Sequence, residues 1–236
     1  MLQFFTFATS LLAISNFNLV LSEDRNQCVI NAENECVFQS IYVAANKDEK
    51  QNLQTPASSN TSTIKFISSA IDFVTPTLLR SVNRVRALDL SGVKLKGLHH
   101  DALQNFEVLE DVDLSNNVLV ELPQGVFSDV NQLRNLDISH NNLRHLEGHV
   151  FENCPELRRL ELYGNSIAEI SREHFRIPRE LDYLSLGDNR IERLNSGTFR
   201  LLANLTVLGL RENFLRELGH DVFHGLVSLE QLDWTI

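Results

Sequence analysis

Apolar residues return along this chain at a fixed period. Leu109, Val112, Leu114, Asn117, Leu119, Leu122, Phe127 and Val130 reappear 24 residues later as Leu133, Leu136, Ile138, Asn141, Leu143, Leu146, Phe151 and Cys154. The same step leads to Leu157, Leu160, Leu162, Asn165, Ile167, Ile170, Phe175 and Pro178. It then reaches Leu181, Leu184, Leu186, Asn189, Ile191, Leu194, Phe199 and Leu202, and after them Leu205, Leu208, Leu210, Asn213, Leu215, Leu218, Phe223 and Leu226. No insertion or deletion interrupts these five units. Such regularity marks a stacked architecture, in which each unit buries its apolar face only against its neighbours. Upstream, Val85, Leu88, Leu90, Leu95, Leu98, Leu103 and Phe106 fit, with Val93 where asparagine is expected. One step further back, Ile64, Phe66, Ile71, Val74, Leu79 and Val82 fit, with Ser69 in that place. Leu229, Leu232 and Trp234 begin a further unit.

The pattern inside a unit predicts its elements. Leu133-Arg134-Asn135-Leu136-Asp137-Ile138 alternates apolar and polar side chains, as a half-buried strand does. Each unit therefore lays one short strand parallel to the last. Its Leu and Ile point inward, each contributing about 1.5–3 kcal/mol on full burial. The asparagines fall where the chain leaves the strand. There an inward amide can bond backbone groups of adjacent turns that would otherwise be buried alone. Phe127, Phe151, Phe175, Phe199 and Phe223 are expected to stack as an aromatic column on the opposite, convex side. Cys154 stands where other units have Val or Leu, so it reads as a buried, unpaired thiol. Pro178 at the same position marks a local deviation.

The motif LxxLxLxxNxLxxL followed by Phe resembles the leucine-rich repeat, and it covers residues 61–236. The resemblance implies an α/β repeat fold, mainly β with an irregular convex side. Its form would be a right-handed solenoid with a parallel sheet on its concave face and an N-terminal disulfide cap.

The N-terminal end reads differently. Residues 1–22 carry no charged side chain and are apolar from Phe4 to Leu21, broken by Ser15, Asn16 and Asn18. They read as a signal peptide cut after Ser22, which makes the protein secreted and extracellular. No later segment is apolar for long enough to cross a bilayer, so no membrane insertion is expected. In an oxidising compartment Cys28 and Cys36 are natural partners. Closing so small a loop stabilises by about 2–3 kcal/mol. Residues 23–60 are read as this cysteine cap and a loop, the polar stretch running over 44–63. Asn60-Thr61-Ser62 and Asn204-Leu205-Thr206 match the N-glycosylation acceptor pattern. No closing cysteine cluster or anchor follows Trp234, so the last half-unit is expected to expose an apolar edge open to homo- or hetero-association.

The segment Cys28-x7-Cys36-Val37-Phe38 after a signal, a degenerate first unit TIKFISSAIDFVTPTLLRSV, and then 24-residue repeats is similar to secreted insect leucine-rich immune proteins. That resemblance implies innate-immune recognition. Longer members carry a C-terminal cysteine cluster and coiled coil, and dimerisation through those elements is not carried over. An adhesion or matrix protein, or a fragment of a receptor ectodomain, stays open beside it.

Charge and chemistry narrow the function. Hydrophobic residues make up 43% of the 236, enough for a sizeable core, and the net charge is -10. Nucleic acids and anionic membranes select a basic surface, so neither is expected as a partner. Outward strand positions run Lys65, Asp89, Asp113, Asp137, Glu161, Ser185, Gly209 and Asp233, an acidic ladder with neighbouring strands about 4.8 Å apart. On an open, wet surface these carboxylates suit solubility better than paired-carboxylate catalysis. Arg159, Tyr163, Tyr183, Val207 and Arg211 interrupt the ladder on later strands. Tyr and Arg are enriched at binding hot spots, so these five are the candidate protein-binding residues of the concave face. His145 and His149, His99-His100-Asp101 and His220-Asp221 form no regularly spaced ligand set, and no metal or cofactor is expected. No phosphate loop, nucleophile elbow or HExxH is present. The expectation is a binding protein, not an enzyme.

Overall fold

The computed structural model describes residues 27–44, 53–55 and 61–234. The signal segment and Asn60 lie outside the described residues.

Ten strands form one sheet. Val29–Ile30 pairs antiparallel with Cys36–Gln39, and every later pairing is parallel. From Thr63–Ile67 onward, eight coils each contribute one strand, ending with Gln231–Asp233. Adjacent coils pair in a register of one period: Asn135 lies opposite Asp111 and Arg159, and Tyr183 opposite Arg159 and Val207. The product is a mostly β solenoid with little helix. Among the described residues, its helical segments are the single turn Pro76–Leu79 and the short turns Arg80–Val82 and Arg172–Phe175.

The inward positions form one continuous core from Cys28 to Val222. Where each chain leaves its strand, the backbone turns through a left-handed residue: Gly92, Asn116, His140, Gly164, Asp188 and Glu212 all have positive φ. Except after Gly92, where Val93 follows, the next residue is an asparagine that closes the turn. In Asn141, Nδ2 donates to the carbonyls of Leu114, Ile138 and Ser139, while Oδ1 accepts the Leu119 N–H. Asn117, Asn189 and Asn213 make the same four-bond set, and Asn165 makes three of it. One amide thus serves two coils. In the first coil Ser69 does a smaller version of the task, accepting the Ile41 N–H and donating to the Ile67 carbonyl.

The cap is an extension of the solenoid. Cys28 and Cys36 are joined, and Cys36–Gln39 adds a strand to the sheet beside Ile64–Ile67. Phe38 stacks on Phe66 with ring centroids 5.2 Å apart. Within the polar stretch after the cap, Leu53 is fully buried and its N–H reaches the Leu78 carbonyl. Cys154 is free and buried, and burial pushes its thiol up to about 12.

The aromatic column is divided. Phe127 stacks with Phe151 at 6.2 Å, and Phe175 meets Phe199 at 5.8 Å. Among the described residues no ring contact joins Phe151 to Phe175. The turn Arg172–Phe175 brings His174 into that region, and a cleft of about 220 Å³ lies beside it, lined by Phe151, Glu173, His174 and Ile177 among others. At the far end, Phe223 is only partly buried against Trp234, and Leu218, Leu232 and Trp234 remain more than a third exposed.

Candidate functional site

The concave sheet presents its outward side chains in columns spaced by one period. In one column Asn135, Arg159, Tyr183, Val207 and Gln231 stand side by side in strand register. In the next lie Asp137, Glu161, Ser185, Gly209 and Asp233. Tyr163 and Arg211 follow two residues later, where their coils leave the sheet.

The structure brings four of the five predicted residues, Tyr163, Tyr183, Val207 and Arg211, around one depression of about 400 Å³, while Arg159 lines a neighbouring one with Asp89, Asp113 and Asp137. The floor of the first is made of small residues, Ser185, Gly187 and Gly209. Gly187 sets the geometry: a Cβ there would lie 3.1 Å from the Tyr163 ring and 3.2 Å from Arg211 Cγ. Without it, Arg211 and Tyr163 approach from the two neighbouring coils, and the guanidinium carbon sits 5.2 Å from the ring centroid. Arg159 lies over Tyr183 at 3.6 Å and also pairs with Glu161. Such stacking of a guanidinium on an aromatic face is favourable and fixes both side chains. Arg211 further faces Asp233 at 3.7 Å and Glu212 at 3.8 Å. Burial, with the Glu161 charge beside it, raises the Tyr183 phenol above its usual range, so it is a neutral hydroxyl there. The two pairs form rigid, amphipathic walls.

His140 joins this site and was not among the sequence candidates. Its ring meets Tyr163 edge-on at 5.4 Å. Gly164, at φ +68, is what admits it: a Cβ at that residue would fall 2.7 Å from His140 Nδ1. The available signal was Gly164 and Gly187 following His140 and Tyr163 at the same places in the preceding coil.

The N-terminal half of the same face is acidic. Asp89, Asp113 and Asp137 each accept the N–H of the serine two residues on, at 2.8–2.9 Å. These aspartates therefore shape the strand exit as well as charging the surface. Burial, followed by repulsion from Asp137 and Asp89, pushes the Asp113 carboxyl up, against the lowering pull of its Ser115 bonds. Lys65 neutralises one end, 3.0 Å from Asp89, and its own ammonium is raised by that contact. Below this column Glu110 bridges Arg86 and Arg134.

The remaining predicted residues lie apart. The Cys28–Cys36 bridge sits in the cap, at the opposite end of the solenoid. Asn204 is exposed, with Nδ2 3.4 Å from both the Arg179 carbonyl and Glu180. Among the described residues no helix is long and apolar enough to cross a membrane.

A family model described as "Leucine rich repeat" matches residues 83–143, 107–167, 131–191 and 179–234, together more than half of the chain. No curated protein matches the sequence. Among solved structures, the chain is similar to a TLR13–ssRNA13 complex at 28% identity and a TM-score of 0.70, over 77% of this chain and 25% of that one. It is also similar to the APL1 leucine-rich repeat domain, at 20% identity and a TM-score of 0.69, over 84% of this chain and 56% of that one. The chain thus spans a quarter of the first structure and a little over half of the second, and the second likeness concerns the fold alone.

Proposed function

Since the chain belongs to the leucine-rich repeat family, we propose that it is a secreted protein-binding module that seats a protein ligand on its concave face, at Arg159, Tyr163, Tyr183, Val207 and Arg211. The observation that carries this reading is the pair of arginine–tyrosine stacks on adjoining strands, whose Tyr163, Tyr183 and Arg211 border a small-residue floor. Side chains already ordered by a sheet and by each other lose little freedom on binding, and Tyr and Arg are the residues that most often dominate an interface. Binding fits better than catalysis, because the carboxylates are spread along an open face with no enclosed acid–base pair. A protein ligand fits better than RNA, the ligand in the TLR13 complex, because the concave carboxylates and the net charge of -10 oppose a phosphate backbone.

The signal over 1–22, the cap and loop over 23–60, the repeats over 61–236, glycans at Asn60 and Asn204, and a role in innate-immune recognition complete the proposal. The immune role leans on the resemblance of the cap and repeats to the insect immune proteins. A second reading, a segment of a longer receptor or adhesion ectodomain, is favoured by one observation: the chain matches only 25% of the TLR13 chain.

The test is a quadruple substitution, Arg159→Ala, Tyr163→Ala, Tyr183→Ala and Arg211→Ala, in the secreted protein. None of the four points into the core, so circular dichroism should be unchanged. Binding to partners recovered from extracellular fluid should weaken at least about tenfold, or 1.4 kcal/mol. If the variant recovers the same proteins equally well, the concave site is wrong and the apolar edge at Leu218, Leu232 and Trp234 is the next surface to mutate.

A further inference from the structure

The turn after the short strand Gly97–Leu98 carries His99, His100 and Asp101. We propose that these three side chains form a surface site for a divalent transition-metal ion of the zinc class. Sequence spacing argued against a metal here, because three adjacent residues need not point the same way. In the fold they do: one donor atom from each lies within 4.8 Å of the other two. Asp101 Oδ2 is 3.1 Å from His100 Nε2 and 4.0 Å from His99 Nδ1. Donors sharing one ion at bond lengths of about 2.0–2.2 Å lie about 3–3.5 Å apart, so modest side-chain rotation closes the set.

The backbone beneath the triplet is already fixed. The His99 N–H donates to the Val74 carbonyl at 2.8 Å, and the Ala102 N–H donates to the His99 carbonyl at 2.9 Å. The Gln104 N–H donates to the Asp101 carbonyl at 3.0 Å. Only side-chain torsions therefore need to adjust. The one local bond that metal on His99 Nδ1 would displace is the long Asp101 N–H contact at 3.3 Å. Among the described residues, the ion pairs of Asp101 are with the two imidazoles, so no lysine or arginine competes for its carboxylate. Stacking does not call for these residues either. The same turn reads Pro-Gln-Gly, Glu-Gly-His and Ser-Arg-Glu in the next three coils.

The donor set selects the ion. Two imidazoles and a carboxylate suit Zn²⁺, Ni²⁺, Cu²⁺ or Co²⁺, whereas Ca²⁺ and Mg²⁺ require oxygen ligands. Three protein donors leave coordination positions open to water or an exogenous ligand. The side chains are 42%, 59% and 44% exposed, which leaves the ion a way in.

The test uses the full chain, stripped with chelator and titrated with Zn²⁺ by calorimetry, and with Co²⁺ by visible absorption. One ion per chain is expected at neutral pH. His99→Ala combined with His100→Ala should weaken it at least tenfold, since even the loss of a residue supporting a ligand costs 10–100-fold. The Co²⁺ bands should vanish in that variant, and Zn²⁺ affinity should fall on acidification, because protons compete with the ion for the ligand nitrogens. His220→Ala, which changes the other exposed His-Asp pair, should leave binding unchanged. Equal stoichiometry and affinity in the double variant, or no binding below about 1 mM, would overturn the proposal.

Discussion

The two turns of each coil solve the same problem in different ways. At the strand exit, buried carbonyls and N–H groups of two coils must be paired, and an asparagine does so in five coils with almost unchanged geometry. At the opposite turn, coils also need joining, but several devices serve. His99 donates its backbone N–H straight to the Val74 carbonyl, and Gly219 does the same to the Leu194 carbonyl. The matching pair in the middle of the solenoid, Ser171 and Leu146, does not meet directly. His174 is inserted between them, its Nδ1 3.0 Å from the Ser171 nitrogen and its Nε2 3.1 Å from the Leu146 oxygen. Where only one side chain has the needed reach and donor–acceptor set, the repeat is uniform. Where alternatives exist, the coils diverge, and there the aromatic column also breaks.

The largest expected effect tests that break. Phe151→Ala and Phe175→Ala should each destabilise by about 3–5 kcal/mol, as truncation of a buried Phe does. Phe175 is the more enclosed, packed against Phe199, whereas Phe151 borders the cleft. Its substitution should therefore fall at the upper end of that range. Urea midpoints measure both, and midpoints that barely move would mean that neither ring belongs to the core.

Next in size is the strand-exit turn. Asn165→Ala removes the partner of the Ile138 and Leu162 carbonyls and of the Leu143 N–H. Leaving even one such buried group unsatisfied costs about 1–3 kcal/mol. Ser166→Ala, one residue along and half-exposed, should stay within about 0.5 kcal/mol. Equal losses at the two positions would deny the amide its special place.

These contrasts mark what the sequence could reveal. Leu, Asn and Phe recur because stacking demands them, so their inward positions were legible from the period alone. The concave candidates were legible as outward strand residues, and Tyr163, Tyr183, Val207 and Arg211 border one depression while Arg159 borders the next. Their arginine–tyrosine pairing was not legible, because it joins variable positions of neighbouring coils through rotamers that the period leaves open. His140 was missed for the same reason: its contact depends on what Gly164 lacks. Leu53 was missed because its neighbours are polar and only contact with the Leu78 turn buries it. His174 occupies the place of Val126 and Val150, a position outside the recurring set read from the period, and the period cannot say how a polar ring is satisfied there.

The smallest expected effect concerns that ring. A carbonyl only accepts and a backbone N–H only donates, so the bonds to Leu146 and Ser171 require neutral His174 with its proton on Nε2. A second proton, on Nδ1, would point at the Ser171 N–H. Burial is the largest influence and holds the imidazole below its usual range. The bond to the Leu146 carbonyl and the nearby Glu169 and Glu173 carboxylates oppose that shift in part. On the same turn Arg176 is 3.7 Å from Glu173, and His149 and Glu152 of the preceding coil border the adjoining cleft. In the unfolded chain the imidazole titrates near about pH 6.5. Above that value neither state binds the proton, and the contribution of the buried neutral ring is fully present. As the pH falls through 6.5 toward the lower folded value, only the unfolded state gains the proton. Stability then falls by at most about 1.4 kcal/mol per pH unit. His174→Val restores the side chain of Val126 and Val150 and allows Ser171 to bond Leu146 directly, as His99 bonds Val74. Urea midpoints of the two proteins should diverge between about pH 7 and pH 5.5, the wild type losing more as acid is added, by about 1 kcal/mol or less. Parallel profiles over that interval would show that the imidazole is an inert filler at this turn and that the coils meet there without its help.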